Sequence, residues 1–189
     1  MTYRGTEIPT IDVAMVSITP YGEDEKELIL DTSNQIGVTP VTETQDAIPL
    51  IVKGRLIAQK PAKTTVTGNT IVLTDNVFNP ELVKILQGGT IKYDTQDSTK
   101  VIGYTPPVSG STEEGVLFKT KCYSAIYNAA GTITGYECIT YPNCKGTPVS
   151  FGAEDGTFRA PQYSINSAPN NGEAPYEMDI VSELPKVTA

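Results

Sequence analysis

The chain has 189 residues, 22 of them acidic and 14 of them Lys or Arg, which gives a net charge of −8. A surface this acidic repels backbone phosphates and argues against nucleic-acid binding. The sequence contains no histidine, so it lacks the commonest general base and the commonest metal ligand.

The N-terminal sequence MTYRGTEIPTID has no apolar stretch typical of a signal peptide. No apolar run reaches the ~18–20 residues that span a bilayer, so we expect synthesis in the cytoplasm and no membrane partner. The odd number of cysteines (Cys122, Cys138 and Cys144) favours reduced, half-buried thiols over a zinc site. The chain has no dinucleotide-binding, P-loop, zinc-protease or EF-hand motif, and we expect neither an enzyme nor a cofactor.

The first predicted strand, TIDVAMVSI, covers residues 10–18. Residues 21–49 follow, with a charged run and then mainly Thr, Ser, Asn, Gln and Pro in little periodic pattern. Loops this long are usually functional or disordered. Two interpretations remain open: a mobile surface loop, or an arm that becomes ordered on a neighbouring subunit. The candidate arm residues are Glu23, Asp24, Glu25, Asp31 and Gln45.

Strands are predicted next at 50–59 (LIVKGRLIAQ) and 70–75 (TIVLTD), before a short helix over Asn79–Gln87. Asn79 is a suitable N-cap, Pro80 suits the first helical position, and Gly88 provides a left-handed stop. The predicted apolar stripe consists of Leu82, Ile85 and Leu86. Because isolated helices need ~12–15 residues to be even marginally stable in water, this helix must dock on the neighbouring sheet.

Further strands are predicted at GTIKYD and STKVIGYTPP, followed by a hairpin over Glu113–Lys145. Asn128 and Gly131 suit a type I turn with a glycine bulge. If Asn128 faces Thr132, the register places Cys122 directly opposite Cys138, near enough to form a disulfide under oxidation.

Near the C-terminus, acidic and apolar residues alternate in PYEMDIVSEL. Glu177 and Asp179 alternate with Tyr176, Met178 and Ile180. This period of two predicts a strand with one acidic face.

Taken in order, four segments resemble the major tail tube protein of bacteriophages and prophages that infect Gram-positive hosts and have long, non-contractile tails. The segments are KGRLIAQKPA, TGNTIVLTDNVFNPELVKILQGG, GYECITYPNCKGTPVSFGAEDGTFRAPQYSINSAP and GEAPYEMDIV. The resemblance covers the chain from about Leu50 to the end. It implies a mainly β fold, an antiparallel β-sandwich or barrel with one short helix packed on it, over a single domain of residues 1–189.

The resemblance also implies a structural virion protein that forms stacked hexameric rings, and in such a tube we expect the candidate arm to reach the adjacent ring. Its partners would be further copies of itself, the tape measure protein, and the tail terminator and distal tail proteins. The tube would assemble in the host cytoplasm and let DNA pass without specific binding. The helix would cover one part of the sandwich and leave other sheet edges free to pair with neighbours.

A tube that conducts DNA needs a bore that does not capture phosphates, so the resemblance favours an acidic lumen. The candidate lumen residues are Glu137, Glu177 and Asp179; the alternative is that they lie on the outer wall and maintain solubility. The alternative function is a β-sandwich binding module, such as a phage receptor-binding or adhesin domain. The absence of Trp and His disfavours that alternative.

Overall fold

The computed structural model describes residues 7–22, 26–152 and 154–186. Within these ranges the chain forms antiparallel strands and one short helix, which confirms the predicted mainly β fold. In chain order the elements are β1 (Thr10–Pro20), β2 (Leu28–Leu30), β3 (Ser33–Gln45), β4 (Ile48–Val52), β5 (Arg55–Lys60), β6 (Lys63–Asp75), α1 (Pro80–Gln87), β7 (Thr90–Tyr93), β8 (Val101–Thr105), β9 (Phe118–Tyr127), β10 (Ile133–Gly146), β11 (Gln162–Ser167) and β12 (Glu177–Val181).

The main sheet is antiparallel and has the strand order β2–β1–β9–β10–β11–β6–β3. One edge of β10 pairs with β9, and its other edge is divided between two strands. Residues 136–140 pair with β12, and residues 144–146 pair with β11. An irregularity between Tyr141 and Cys144 lies between these two pairings. A bulge bends and twists its strand, so β11 and β12 can run in different directions although both pair with the same edge of β10.

The sheet folds over a single apolar core. Val16 and Ile18 of β1 lie near one end of the strand order, and Ile71 and Leu73 of β6 lie near the other end. All four are nearly inaccessible and belong to one buried cluster, which also contains Tyr163 of β11. Both ends of a sheet can share a core only if the sheet curls back on itself, and this produces the β-sandwich.

The prediction of a loop over residues 21–49 is wrong for most of that region. β3 pairs with β6 from Ser33 to Gln45, and β4 pairs with β5 beyond them. From Gly37 onwards β3 is exposed on both faces, as is all of β4, so burial does not impose the apolar–polar alternation that marks a half-buried strand. Thr and Val supply the β-propensity instead.

These four strands form a projecting hairpin, and we call residues 41–66 the arm. Residues 41–65 are exposed apart from the half-buried Ala47. Of the predicted arm residues, Gln45 lies in the arm, where it pairs with Lys63, whereas Asp31 lies in the bend between β2 and β3. Glu23, Asp24 and Glu25 lie outside the described residues. The arm therefore begins and ends later in the chain than predicted.

The predicted register of the β9–β10 hairpin is correct at its turn and wrong beyond it. The Asn128 amide donates to the Thr132 carbonyl at 3.0 Å, and Tyr127 lies opposite Ile133. A bulge between Ile133 and Gly135 then shifts the pairing by one residue.

As a result, Cys138 lies opposite Tyr123, and Cys122 lies opposite Ile139. A shift of one residue moves a side chain to the other face of the sheet. Cys122 accordingly joins the main core, whereas Cys138 joins a second small cluster with Met15 and Tyr123. The two cysteines are therefore not opposed across the hairpin, which corrects the prediction.

Candidate functional site

The N-terminus of α1 is capped as predicted. The Asn79 side-chain oxygen accepts from the backbone N–H groups of Glu81 at 2.9 Å and Leu82 at 3.1 Å. Pro80 occupies the first helical position, where no backbone donor is needed. The backbone N–H of Asn79 also donates to the hydroxyl of the buried Tyr163 at 3.4 Å, which ties the cap to β11.

The helix docks on the main core, as its short length requires. Leu82 and Leu86 are buried, as predicted, and Ile85 is half-buried against the same cluster. Val83 is fully buried as well, so the apolar surface of the helix is wider than the predicted stripe. Phe78 packs on this cluster just before the helix begins.

Two glycines allow α1 to approach the sandwich closely. A Cβ atom built on Gly146 of β10 would lie 2.5 Å from the Leu86 Cβ atom. A Cβ atom on Gly115 would overlap the backbone of Leu86 and Ile85. The Val116 amide donates to the Ile85 carbonyl at 3.1 Å beside this contact. The helix position therefore depends on missing side chains at two places that are distant in sequence.

The C-terminus of α1 ends at Gly88, as predicted, and the Gly88 N–H donates to the Lys84 carbonyl at 2.9 Å. Its φ of 80° is positive, but its ψ of −156° lies outside the left-handed helical conformation that was predicted for this stop. The Tyr104 hydroxyl donates to the Gly88 carbonyl at 2.6 Å, and the Gln87 side-chain amide donates to the same hydroxyl at 3.0 Å. The Val149 amide donates to the Gln87 side-chain oxygen at 2.8 Å. These bonds hold the helix as a fixed cover over one part of the sandwich.

The predicted lumen acids do not share one face of the sheet. Glu177 lies opposite Thr140 and Asp179 opposite Cys138, whereas Glu137 lies opposite Ile180. Because side chains alternate along a strand, Glu177 and Asp179 point to one face and Glu137 points to the other. The three acids therefore cannot all line one wall, and which of them faces a bore stays a prediction.

β12 is an edge strand with a mixed surface. It pairs with β10 on one side, and the described residues contain no strand on its other side. Met178 is 53% exposed and Ile180 is 59% exposed, on the face opposite Glu177 and Asp179. An unpaired edge that carries exposed apolar side chains is a template for pairing with another chain.

The arm has aliphatic side chains on both faces near its tip. A turn at Lys53 and Gly54, with φ values of 46° and 76°, joins β4 to β5. The exposed aliphatic residues of the tip are Ile48, Leu50, Ile51, Val52, Leu56 and Ile57. The tip is also basic, because residues 48–63 contain four of the 14 cations and none of the 22 acids.

The cysteines are buried, free thiols. Burial raises the pKa of the Cys122 thiol to about 12, because the interior disfavours the charged thiolate. Burial likewise raises the pKa of the Cys144 thiol, whose S–H donates to the Tyr141 carbonyl at 3.3 Å. Cys122 and Cys144 both lie in the main core, where they act as small apolar side chains.

Comparison with protein-family models and with curated protein sequences finds no match. Among solved structures, a chain from the baseplate of the anti-feeding prophage, determined by cryo-electron microscopy with six-fold symmetry, is similar at a TM-score of 0.37. The sequences are 9% identical, and the alignment covers 96% of this chain and 98% of that chain. A TM-score this low does not establish a shared fold or a shared function.

No helix within the described residues is long and apolar enough to cross a membrane.

Proposed function

We propose that this chain is a structural subunit of a bacteriophage tail tube, which assembles into stacked hexameric rings. The observation that carries the proposal is the arm. It projects from the sandwich, and six aliphatic side chains at its tip are each at least 47% exposed. Exposed apolar patches of this kind mark interaction surfaces, and burying them against further copies would favour assembly.

The free edges of the sheet support the same proposal. β12 and β3 lie at its margins, and the helix covers the core without occupying either edge. Exposed edges are a liability for a monomer and a means of assembly for a polymer. We take the assembly to be a tail tube because four sequence segments resemble tail tube proteins in the same order.

In this proposal the protein has no enzymatic activity and acts in the phage virion. The tape measure protein would lie inside the tube, and the terminator and distal tail proteins would contact its ends. The bore would be net negative, so that DNA passes without being captured. A bore lined mainly by Lys and Arg would contradict this part of the proposal.

The decisive experiment is electron microscopy of the purified protein beside a variant that lacks the arm. Gln45 pairs with Lys63, so residues 46–62 can be replaced by Asn-Gly, which favours a two-residue hairpin turn. We expect tubes or rings from the natural chain, and a folded subunit without tubes from the shortened one. Lys53→Asn, which keeps the arm and gives its turn the Asn-Gly sequence, is the matched control and should form tubes.

A receptor-binding or adhesin module would behave differently. The natural chain would then remain a compact monomer or trimer at every concentration. Tubes from the shortened variant would show that the arm is only a surface loop.

A further inference from the structure

The two faces of β5 differ in chemistry. Ile51 lies opposite Leu56 and Leu50 lies opposite Ala58, so these two pairs occupy opposite faces of the β4–β5 hairpin. Arg55 and Lys60 share the face of Ala58, and Leu56 lies on the other face together with Gln59. β5 thus presents a cationic face and a partly apolar face.

β12 presents the complementary arrangement. Glu177 and Asp179 occupy one face of this edge strand, and the exposed Met178 and Ile180 occupy the other. The acids are also unpaired in the described structure. Lys119 lines the same cleft as Glu177, but the two form no ion pair.

The arm cations are equally unpaired. Arg55 and Lys60, like Lys53 and Lys63 beside them, have no ion-pair partner among the described residues. Among the described residues β5 pairs with β4 alone and β12 with β10 alone, so each strand has an unused hydrogen-bonding edge there. β4 is less suited to a further pairing because Pro49 has no N–H to donate, whereas β5 contains no proline.

We propose that β5 of one copy pairs with β12 of a second copy as an added edge strand. Arg55 and Lys60 then lie beside Glu177 and Asp179 on one face, and Leu56 lies beside Met178 and Ile180 on the other. The backbone ladder supplies affinity, and the charge pattern selects the register and the partner strand. This inference rests on the proposed function, because it assigns the surface on which the arm docks during tube assembly.

Charge reversal with rescue tests the pairing. In Arg55→Glu/Lys60→Glu and in Glu177→Lys/Asp179→Lys, like charges meet across the interface, and we expect the critical concentration for tube formation to rise at least ~10-fold. The variant that combines all four substitutions restores the opposite charges and should assemble close to the level of the natural chain. All four side chains are exposed, so the far-ultraviolet circular dichroism of every variant should be unchanged.

Matched controls place the same charge changes elsewhere. Lys84→Glu/Lys92→Glu and Glu154→Lys/Asp155→Lys alter exposed residues outside both strands and should leave the critical concentration within ~2-fold of the natural value. Assembly of the natural chain should also weaken with added salt, because exposed charges are screened.

The outcomes separate this inference from the proposed function. If the natural chain forms no tubes, the proposed function fails and the inference fails with it. If the natural chain forms tubes and the reversals do not impair them, or if the combined variant is not rescued, only the β5–β12 pairing is overturned. If Arg55→Glu/Lys60→Glu instead abolishes sedimentation with phosphatidylglycerol vesicles and leaves tubes intact, the tip is a membrane-binding element and the pairing is wrong.

Discussion

Leu86 of the helix lies against Gly146 of β10 so closely that a Cβ atom at position 146 would come within 2.5 Å of the leucine Cβ atom. Leu86 belongs to the main core, and Gly146 is the last residue of β10, the strand that pairs with β11. Because the glycine has no side chain, this contact sets how closely the helix approaches the sheet.

Gly146→Ala should lower the free energy of unfolding by about 1–3 kcal/mol, because the added methyl group would clash with the Leu86 side chain. Urea denaturation of the isolated subunit measures the change. Gly152→Ala is the control, since a Cβ atom there meets no atom within 4 Å. Equal stability of the two variants would mean that the helix lies farther from β10 than described.

Asn79→Ala should cost about 1 kcal/mol, the usual value of an N-cap. The variant leaves the backbone N–H groups of Glu81 and Leu82 without their side-chain acceptor. The thermal midpoint should fall, while Asn79→Asp, which keeps an acceptor oxygen, should stay near the natural value. A midpoint that alanine does not change would refute the capping role.

Cys122 and Cys138 should not form a disulfide when the folded subunit is oxidised. Their side chains point to opposite faces of the β9–β10 hairpin, and they lie in different buried clusters. Disulfide geometry needs Cβ atoms within about 3.5–4.5 Å of one another, and these side chains point apart. Peptide mapping by mass spectrometry after mild oxidation checks this. A peptide pair linked through Cys122 and Cys138 would mean that the register is not shifted by the bulge.

Stability should decline at alkaline pH partly because of Cys122. Its pKa rises from 9.0 to about 12 on burial, so the unfolded chain loses this proton at a lower pH than the folded chain does. The contribution is complete below pH 9 and is lost as the pH rises towards 12. Urea denaturation measured across this pH range checks the prediction. The free energy of unfolding of Cys122→Ala should fall less steeply with pH than that of the natural chain. Equal slopes would contradict the raised pKa of Cys122.

Local features of this fold were predictable from sequence, whereas features that depend on distant strands were not. The Asn79 cap, the Pro80 start and the position of the Gly88 stop each depend on a few neighbouring residues, and all three are confirmed, whereas the left-handed helical conformation predicted for Gly88 is not. The alternation of acidic and apolar residues in β12 also followed from its own sequence.

The two errors have related physical causes. The bulge before Gly135 has one local signal, a glycine inside a strand, but that signal does not fix where the register shifts, and the shift changes the face of every later residue in the pairing. The arm strands are exposed on both faces, so burial imposes no pattern on their sequence. Hydrophobic periodicity reflects the burial of side chains within the chain. It therefore gives no signal for strands whose two faces are both exposed.

The order of strands in the sheet has a consequence during synthesis. β1 pairs with β9, which lies about 100 residues later in the chain. Val16 therefore cannot pair with Cys122 until the ribosome has synthesised β9. At ~5–20 residues per second, the ribosome leaves β1 without its partner for about 5–20 seconds. Such long-range closure also slows folding itself. We therefore expect the nascent chain to depend on chaperones during this interval and to aggregate where chaperones are scarce.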